Sequence, residues 1–354
     1  MLFDPLTLRD VTARNRVWIP PMCLFNVTAR DGVPNDWHLV HYGSFATHGF
    51  GLIIMEATAV VPEGRISLQD LGLWDDAQID GFRRVVDFCH GEGATMAVQL
   101  AHAGRKGSVW PELPGYPGGV HSVADGGFVP VGPTDVAFPG LADPHALTTE
   151  EVSRIPEAFA AAAQRADAAG IDVVEIHAAH GYLIHQFYSP ITNTRSDGYG
   201  GDFEGRTRLL RETTEAVRRV WPESKPLFVR LSATDWTDDG WTGDDTVQLA
   251  AELGQLGVDL IDVSTGGNVN VPIDGGPGYQ VPFAAEVRRE TGMATAAVGL
   301  ITEPGQAEQI LRCGQADAVL IGREALRNPG WPIHAARALG DEAPLPPSYI
   351  RAAR

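Results

Sequence analysis

The chain has 354 residues, 27 Lys and Arg against 45 Asp and Glu for a formal charge of -18, and 44% hydrophobic residues. So acidic a surface repels nucleic-acid phosphates and anionic headgroups, while the apolar content is that of a chain with a buried core. No apolar run reaches the roughly 20 residues that span a bilayer, and the start MLFDPLTLRD has neither the basic nor the apolar part of a secretory leader, so the reading is a cytoplasmic protein acting on small molecules, with no nucleic-acid and no membrane partner.

In chain order, residues 1–16 read as a lid beneath the main body of the fold. Short apolar runs then alternate with amphipathic stretches: strands are predicted at Val17 to Met22, Gly51 to Ala59, Ala94 to Leu100, Ile171 to His177, Leu227 to Leu231, Leu260 to Ser264, Ala294 to Val298 and Ala318 to Ile321. Runs such as GLIIMEATAV and IDVVEIHA are nearly continuous, as in parallel strands buried on both faces. Helices are predicted between them, for example Thr149 to Ala169, capped by Thr148 or Thr149 with Glu151 in its first turn, and Phe203 to Val220. Eight strand-helix units without a GxGxxG turn favour a (β/α)8 TIM barrel over an open doubly wound sheet. One domain is expected over 1–354, with a Gly- and Pro-rich insertion after the third strand, 104–146, overhanging the catalytic face.

A barrel presents the carboxyl ends of its strands at one mouth. Those ends carry Met22 and Cys23; Glu56, Ala57 and Thr58; Gln99 and His102; Glu175, His177, His180 and Tyr182; Arg230; Ser264 and Thr265; Gly299; and Gly322 with Arg323. Gly299, Gly322 and Arg323 lie where barrels bind phosphate, since glycine lets backbone N–H groups approach an anion and a guanidinium adds charge. His177 and His180 can donate to one oxygen while Tyr182 delivers a proton to carbon. A metal site built on His177, His180 and Glu175, with His185 within reach, is the competing reading, and structural histidines are a third. Gln99 and Arg230 are costly to bury without a polar ligand or partner. Cys23 gains weight from its place at a strand end, whereas Cys89 and Cys313 sit in helical patterns; three cysteines this far apart make neither a disulfide framework nor a zinc or iron-sulfur set.

PPMC, HYGS, GLIIMEATAV, EGRIS, QLAHAGRK, EIHAAHGYLIHQFYSP, SDGYGG, FEGRTR, LFVRLSA, VGLIT and IGREALRNP succeed one another along nearly the whole chain. Together they resemble Old Yellow Enzyme ene-reductases, above all the bacterial subgroup with an active-site cysteine. The resemblance implies an FMN-bound barrel that takes hydride from NADPH or NADH and delivers it to the β-carbon of an activated alkene: an enone, a maleimide or a nitro compound. It places Pro21, Met22, Cys23, Ala57, Gln99 and Arg230 around the flavin ring, and Gly299, Gly322 and Arg323 on its phosphate. It gives His177 and His180 the substrate oxygen, Tyr182 the protonation of the α-carbon, and Cys23 the tuning of the flavin. Phe25, Ile66 and Lys106 would line the substrate region.

Three departures stand out: Phe25 where the subgroup commonly has Tyr, Pro20 where some relatives have Ser, and a longer insertion around Trp110 to Phe138. The resemblance further implies a homodimer or tetramer whose C-terminal tail, 340–354, brings Arg351 or Arg354 to a neighbour's site. No metal is assigned. A metal-dependent barrel hydrolase or aldolase and a non-catalytic flavin binder remain as alternatives.

Overall fold

The structure, a computed structural model, describes residues 1–353. Eight parallel strands form its centre: β1 (Val17–Ile19), β2 (Leu52–Ala59), β3 (Thr95–Ala101), β4 (Val173–Ala178), β5 (Leu227–Ser232), β6 (Leu260–Ser264), β7 (Ala294–Ala297) and β8 (Ala318–Leu320). Neighbours in sequence are neighbours in space, and β1 pairs with both β2 and β8, so the sheet closes into the expected (β/α)8 TIM barrel. Every residue of β2 and β4 is buried, which is why their sequences lack polar alternation. The predicted first strand is longer than the observed one. Pro20 and Pro21 have no N–H to give a ladder, and pairing stops at Ile19.

Helices cover the outside. The one at Thr149–Ala168 begins with a capping box in which Thr148 accepts from the Glu151 N–H and Glu151 reaches back to the Thr148 N–H. Asp202 caps Phe203–Val220 by accepting from the Gly205 N–H at 3.0 Å. The amino-terminal end of the barrel is sealed. A hairpin of Leu6–Leu8 and Val11–Ala13 packs there against Trp18, Leu52, Val173, Phe228 and Leu260, with Trp18 stacked on Phe228 at 5.9 Å. Each fully buried side chain of this size contributes about 1.5–3 kcal/mol, so this plug is a stable floor and the opposite end is the open one.

Segment 104–146 has structure of its own: short 3-10 turns at Gly104–Lys106 and Val123–Asp125, and a parallel pairing of Val131–Gly132 with His145–Ala146. Trp110 stacks on His121 with centroids 3.6 Å apart, and Arg105 ties the base of the segment by donating to the Val136 and Asn268 carbonyls. The chain ends in a 3-10 turn, Pro347–Ala353, whose Tyr349 ring lies 6.3 Å from that of His48 and whose Arg351 is exposed; Arg354 lies outside the described residues. Among the described residues no helix is long and apolar enough to cross a membrane.

Candidate active site

Strand register decides which side chains meet inside the barrel. In β2 a bulge at Glu56 shifts the pairing, so that Ala57 stands opposite Gln99. Gln99 is in turn opposite Glu175, and Arg230 is opposite both His177 and Asp262. One polar layer results. Gln99 Nε2 donates to Glu175 Oε1 at 2.8 Å, and Arg230 Nε lies 3.0 Å from Asp262 Oδ2 without hydrogen-bond alignment. Both carboxyls are buried. Burial pushes Glu175 well up, and the nearby Asp262 charge adds to this; burial also raises Asp262, to about 6, against the pull of Arg230. Glu175 therefore keeps its proton, and Asp262 beside it carries the charge that balances Arg230.

Gln99 and Arg230, expected to need a polar ligand or partner, each have a partner inside the barrel. Glu175 and Asp262 partner them within the protein. Asp262 was not singled out from the sequence, although its place two residues before Ser264 in LIDVS sets both on the inner face of β6.

Above this layer stands the HAAHGY turn. Gly181, at φ +73°, allows it: a Cβ there would lie 2.2 Å from the Gly267 carbonyl oxygen. His180 is itself left-handed at φ +60°. Its N–H is accepted by Ser232 Oγ at 2.9 Å, and its Nε2 lies 2.7 Å from Ser264 Oγ, which also reaches Gln280 Oε1 at 3.2 Å. The Lys106 ammonium donates to the His180 and Gly267 carbonyls at 2.8 and 2.5 Å and sits 4.5 Å from the Phe138 ring centroid. Burial pulls Lys106 down to about 8, and Arg105 adds to the effect. Lys106, expected among substrate contacts, spends its ammonium on holding the turn.

The rings of His177 and His180 lie 5.3 Å apart, with Tyr182 4.9 Å from His177. His177 Nδ1 accepts from the Ala179 N–H at 3.3 Å, which leaves the proton on Nε2. Burial first, and then Arg230, hold both imidazoles well below the ordinary histidine range, so both are neutral donors. Burial likewise pushes the Tyr182 phenol well up. Tyr182 packs with Phe25 and Val109 against Ala57, Ile66, Ala101 and Ala103. Cys23 is exposed at the mouth, yet the low-dielectric walls, with Asp70 and Glu56 adding to them, keep it a neutral thiol. Beneath it, Tyr42 donates to Glu56 from the helix Asp36–Thr47, a contact the sequence did not disclose.

Beside the mouth opens a cleft of about 300 Å³. It is lined by Arg230, Ser264, Gln280, Gly299, Gly322 and Arg323, among others. Gly299 has φ +123°, which side-chain-bearing residues rarely adopt, and Arg323 carries no ion pair among the described residues. Pro21 and Met22 run along the strand end opposite, with Met22 Sδ 3.8 Å from the position a Cβ on Gly322 would take.

The remaining histidines lie elsewhere. His185 pairs with Asp235 at 3.0 Å, fully buried, and His102 Nδ1 accepts from the Gly104 N–H. Glu175 is committed to Gln99. Among the described residues no three His, Cys, Asp or Glu side chains are grouped so as to hold a metal ion.

A model of the NADH:flavin oxidoreductase / NADH oxidase family matches residues 1–342. An NADPH dehydrogenase of Geobacillus thermodenitrificans is 46% identical over 352 residues, 99% of this chain and 98% of that protein. Among solved structures, morphinone reductase in complex with tetrahydroNAD superposes with a TM-score of 0.79 at 30% identity, covering 98% of this chain and 93% of that one. The old yellow enzyme homologue from Zymomonas mobilis does so with 0.78 at 29% identity, covering 98% and 94%.

Proposed function

Because the chain belongs to the NADH:flavin oxidoreductase / NADH oxidase family, an FMN-dependent, nicotinamide-linked group of oxidoreductases, we propose that it is an ene-reductase of activated alkenes such as enones, maleimides and nitro compounds. The residues present fit FMN. Arg323, which has no ion pair among the described residues, and the left-handed Gly299 edge a cleft suited to its phosphate, while Ser264 and Gln280 offer polar atoms along the cleft. Pro21, Met22, Cys23, Ala57, Gln99 and Arg230 would surround the ring. The chemistry supplied by bound FMN is hydride transfer, from NADPH or NADH and then to the substrate β-carbon.

The protein's part is aim and polarity. Arg230, held against Asp262, would present positive charge to the ring and stabilise its reduced form. His177 Nε2–H and the His180 ring would together donate to one substrate oxygen and stabilise the enolate that develops as the β-carbon is reduced. Neutral imidazoles suit this work, since each donates a hydrogen bond without placing a second buried cation beside Arg230. Tyr182, with its proton held firmly, would protonate the α-carbon from the side away from the ring. Cys23, as a neutral thiol, would adjust the flavin rather than attack the substrate. Phe25 and Ile66 would shape the apolar wall, and Phe25 brings no hydroxyl to a substrate carbonyl. Segment 104–146 would roof the site through Phe138 and Lys106.

The observation that carries this reading is the clustering of two neutral imidazoles and a protonated tyrosine beside a cleft whose guanidinium has no ion pair among the described residues. Substituting Tyr182→Phe tests it. In anaerobic stopped flow, flavin reduction by NADPH is expected to stay within about twofold of wild type while reoxidation by cyclohexenone slows by about 10²-fold or more. Equal slowing of both half-reactions would remove the tyrosine from the protonation step.

A further inference from the structure

The segment EGRISLQD leaves β2 and folds back over the site. Its turn is stapled by Asp70, whose Oδ2 accepts from the N–H of Ile66 at 2.6 Å and of Ser67 at 3.1 Å. The staple sets Ile66 against Ala57, Ala101 and Ala103, the cluster on which Tyr182 rests. Only one carboxyl oxygen is used. The other has no protein hydrogen bond among the described residues, though Asp70 is only 4% exposed. Asp70 and Tyr182 line the same small cavity, where they are the only ionisable groups, and its free space of about 10 Å³ is that of one water molecule. The Tyr182 hydroxyl likewise has no protein partner among the described residues.

This arrangement exceeds what a turn requires. On the reading that Tyr182 protonates the substrate α-carbon, each turnover leaves a phenolate in an apolar enclosure that must regain a proton before the next. We propose that Asp70 is the proton donor that restores Tyr182, passing its carboxyl proton across the shared cavity to the phenolate oxygen. The Asp70 O–H bond breaks, the Tyr182 O–H bond forms, and the carboxylate is reprotonated from solvent; no electrons move. The proton consumed per alkene thus enters through Asp70.

The local charges suit the task. Burial raises Asp70 to about 8, opposed by the two N–H donors, so it carries a proton at neutral pH. Glu56 from β2 pushes it further up, and Arg65 from its own segment pulls it down. Cys23 beyond β1 and Glu112 from the 104–146 segment also face this region, and both act on Tyr182 in the same sense as Asp70, holding its proton on.

Asp70→Asn is the test, because an amide oxygen still accepts from Ile66 and Ser67 while the side chain has no proton to give. The FMN-loaded variant, reduced anaerobically with NADPH and mixed with cyclohexenone, is expected to complete its first turnover within twofold of the wild-type rate, since Tyr182 starts protonated. Later turnovers at saturating NADPH should slow at least tenfold, giving a burst of one equivalent. Equal slowing of the first and later turnovers would show a merely structural Asp70, and no slowing in either would show no role; both overturn the proposal. A Tyr182→Phe variant with a normal first turnover would sink the underlying reading as well. Independently of turnover, the ¹³C resonance of the Asp70 carboxyl, assigned by its loss in Asp70→Asn, should titrate with a midpoint near 8. A midpoint near 4 would overturn the proposal.

Discussion

The polar layer inside the barrel makes an unusual demand on two carboxyls. If Glu175 and Asp262 share one proton, either can carry the charge that balances Arg230. Asp262→Asn should then cost only about 1 kcal/mol, the scale of one net hydrogen bond, because Glu175 ionises in its place. Glu175→Gln should cost a similar amount, since Asp262 remains and the new amide oxygen can still accept from Gln99. The double variant leaves Arg230 buried without a counter-charge, and breaking such a pair costs about 3–5 kcal/mol. The singles therefore fall short of the double by about 2 kcal/mol. With about 2.1 cal/mol/K of unfolding entropy per residue over 354 residues, each kcal/mol lowers Tm by about 1.3 °C. The expected losses are about 1 °C for each single and about 4–7 °C for the double. Guanidinium unfolding with FMN held in excess keeps the cofactor contribution constant. Effects that add to within about 0.5 kcal/mol would refute the shared proton, and with it the account of how a cation is kept beneath the flavin site.

Acid should loosen the fold through its buried histidines. Burial holds His41 and His102 at about 4 and holds His177 and His180 well down, against about 6.5 when unfolded. Stability present above pH 6.5 is lost as pH falls toward the folded values, by up to about 1.4 kcal/mol per pH unit for each histidine. His102→Asn, which can still accept from Gly104, should flatten that slope by about one proton, and an unchanged slope in urea titrations between pH 7 and 5 would contradict the assignment. Shortening the chain after Pro347 removes a segment whose first four residues, Ser348 to Arg351, are exposed and should move Tm by less than about 2 °C. If Arg351 serves a neighbouring copy, the same truncation raises the KM for cyclohexenone several-fold; an unchanged KM removes that contact.

Much of the barrel was legible because its strands are apolar on both faces and return at regular intervals. The strand Leu260–Ser264 and the helix Phe203–Val220 fall where the sequence places them. The end of β1 was misplaced because apolar character continues past Ile19 while the hydrogen-bonding capacity does not. At the site, strand ends pointed to His177, His180, Tyr182, Arg230, Gly299 and Arg323, since a barrel gathers those ends whatever their separation in sequence. Partners set by register across strands were invisible. Asp262 beside Arg230 and Glu175 opposite Gln99 depend on which residues face one another across strands, while Tyr42 reaches Glu56 from a helix at the bulge that shifts the β2 register by one place. The resemblance put Lys106 near the substrate region, but only the backbone path of the HAAHGY turn shows that its ammonium binds carbonyl oxygens there.

The central claim is that two neutral imidazoles hold a ligand oxygen over the ring, and phenol binding measures this most directly. Titrating the FMN-bound protein with p-hydroxybenzaldehyde should produce a long-wavelength charge-transfer band as the phenolate stacks on the flavin. Each of His177→Ala and His180→Ala should weaken binding at least tenfold, about 1.4 kcal/mol or more, as expected for a hydrogen bond to a charged oxygen. Wild-type affinity with an undiminished band in both variants would mean that the imidazoles do not touch the ligand.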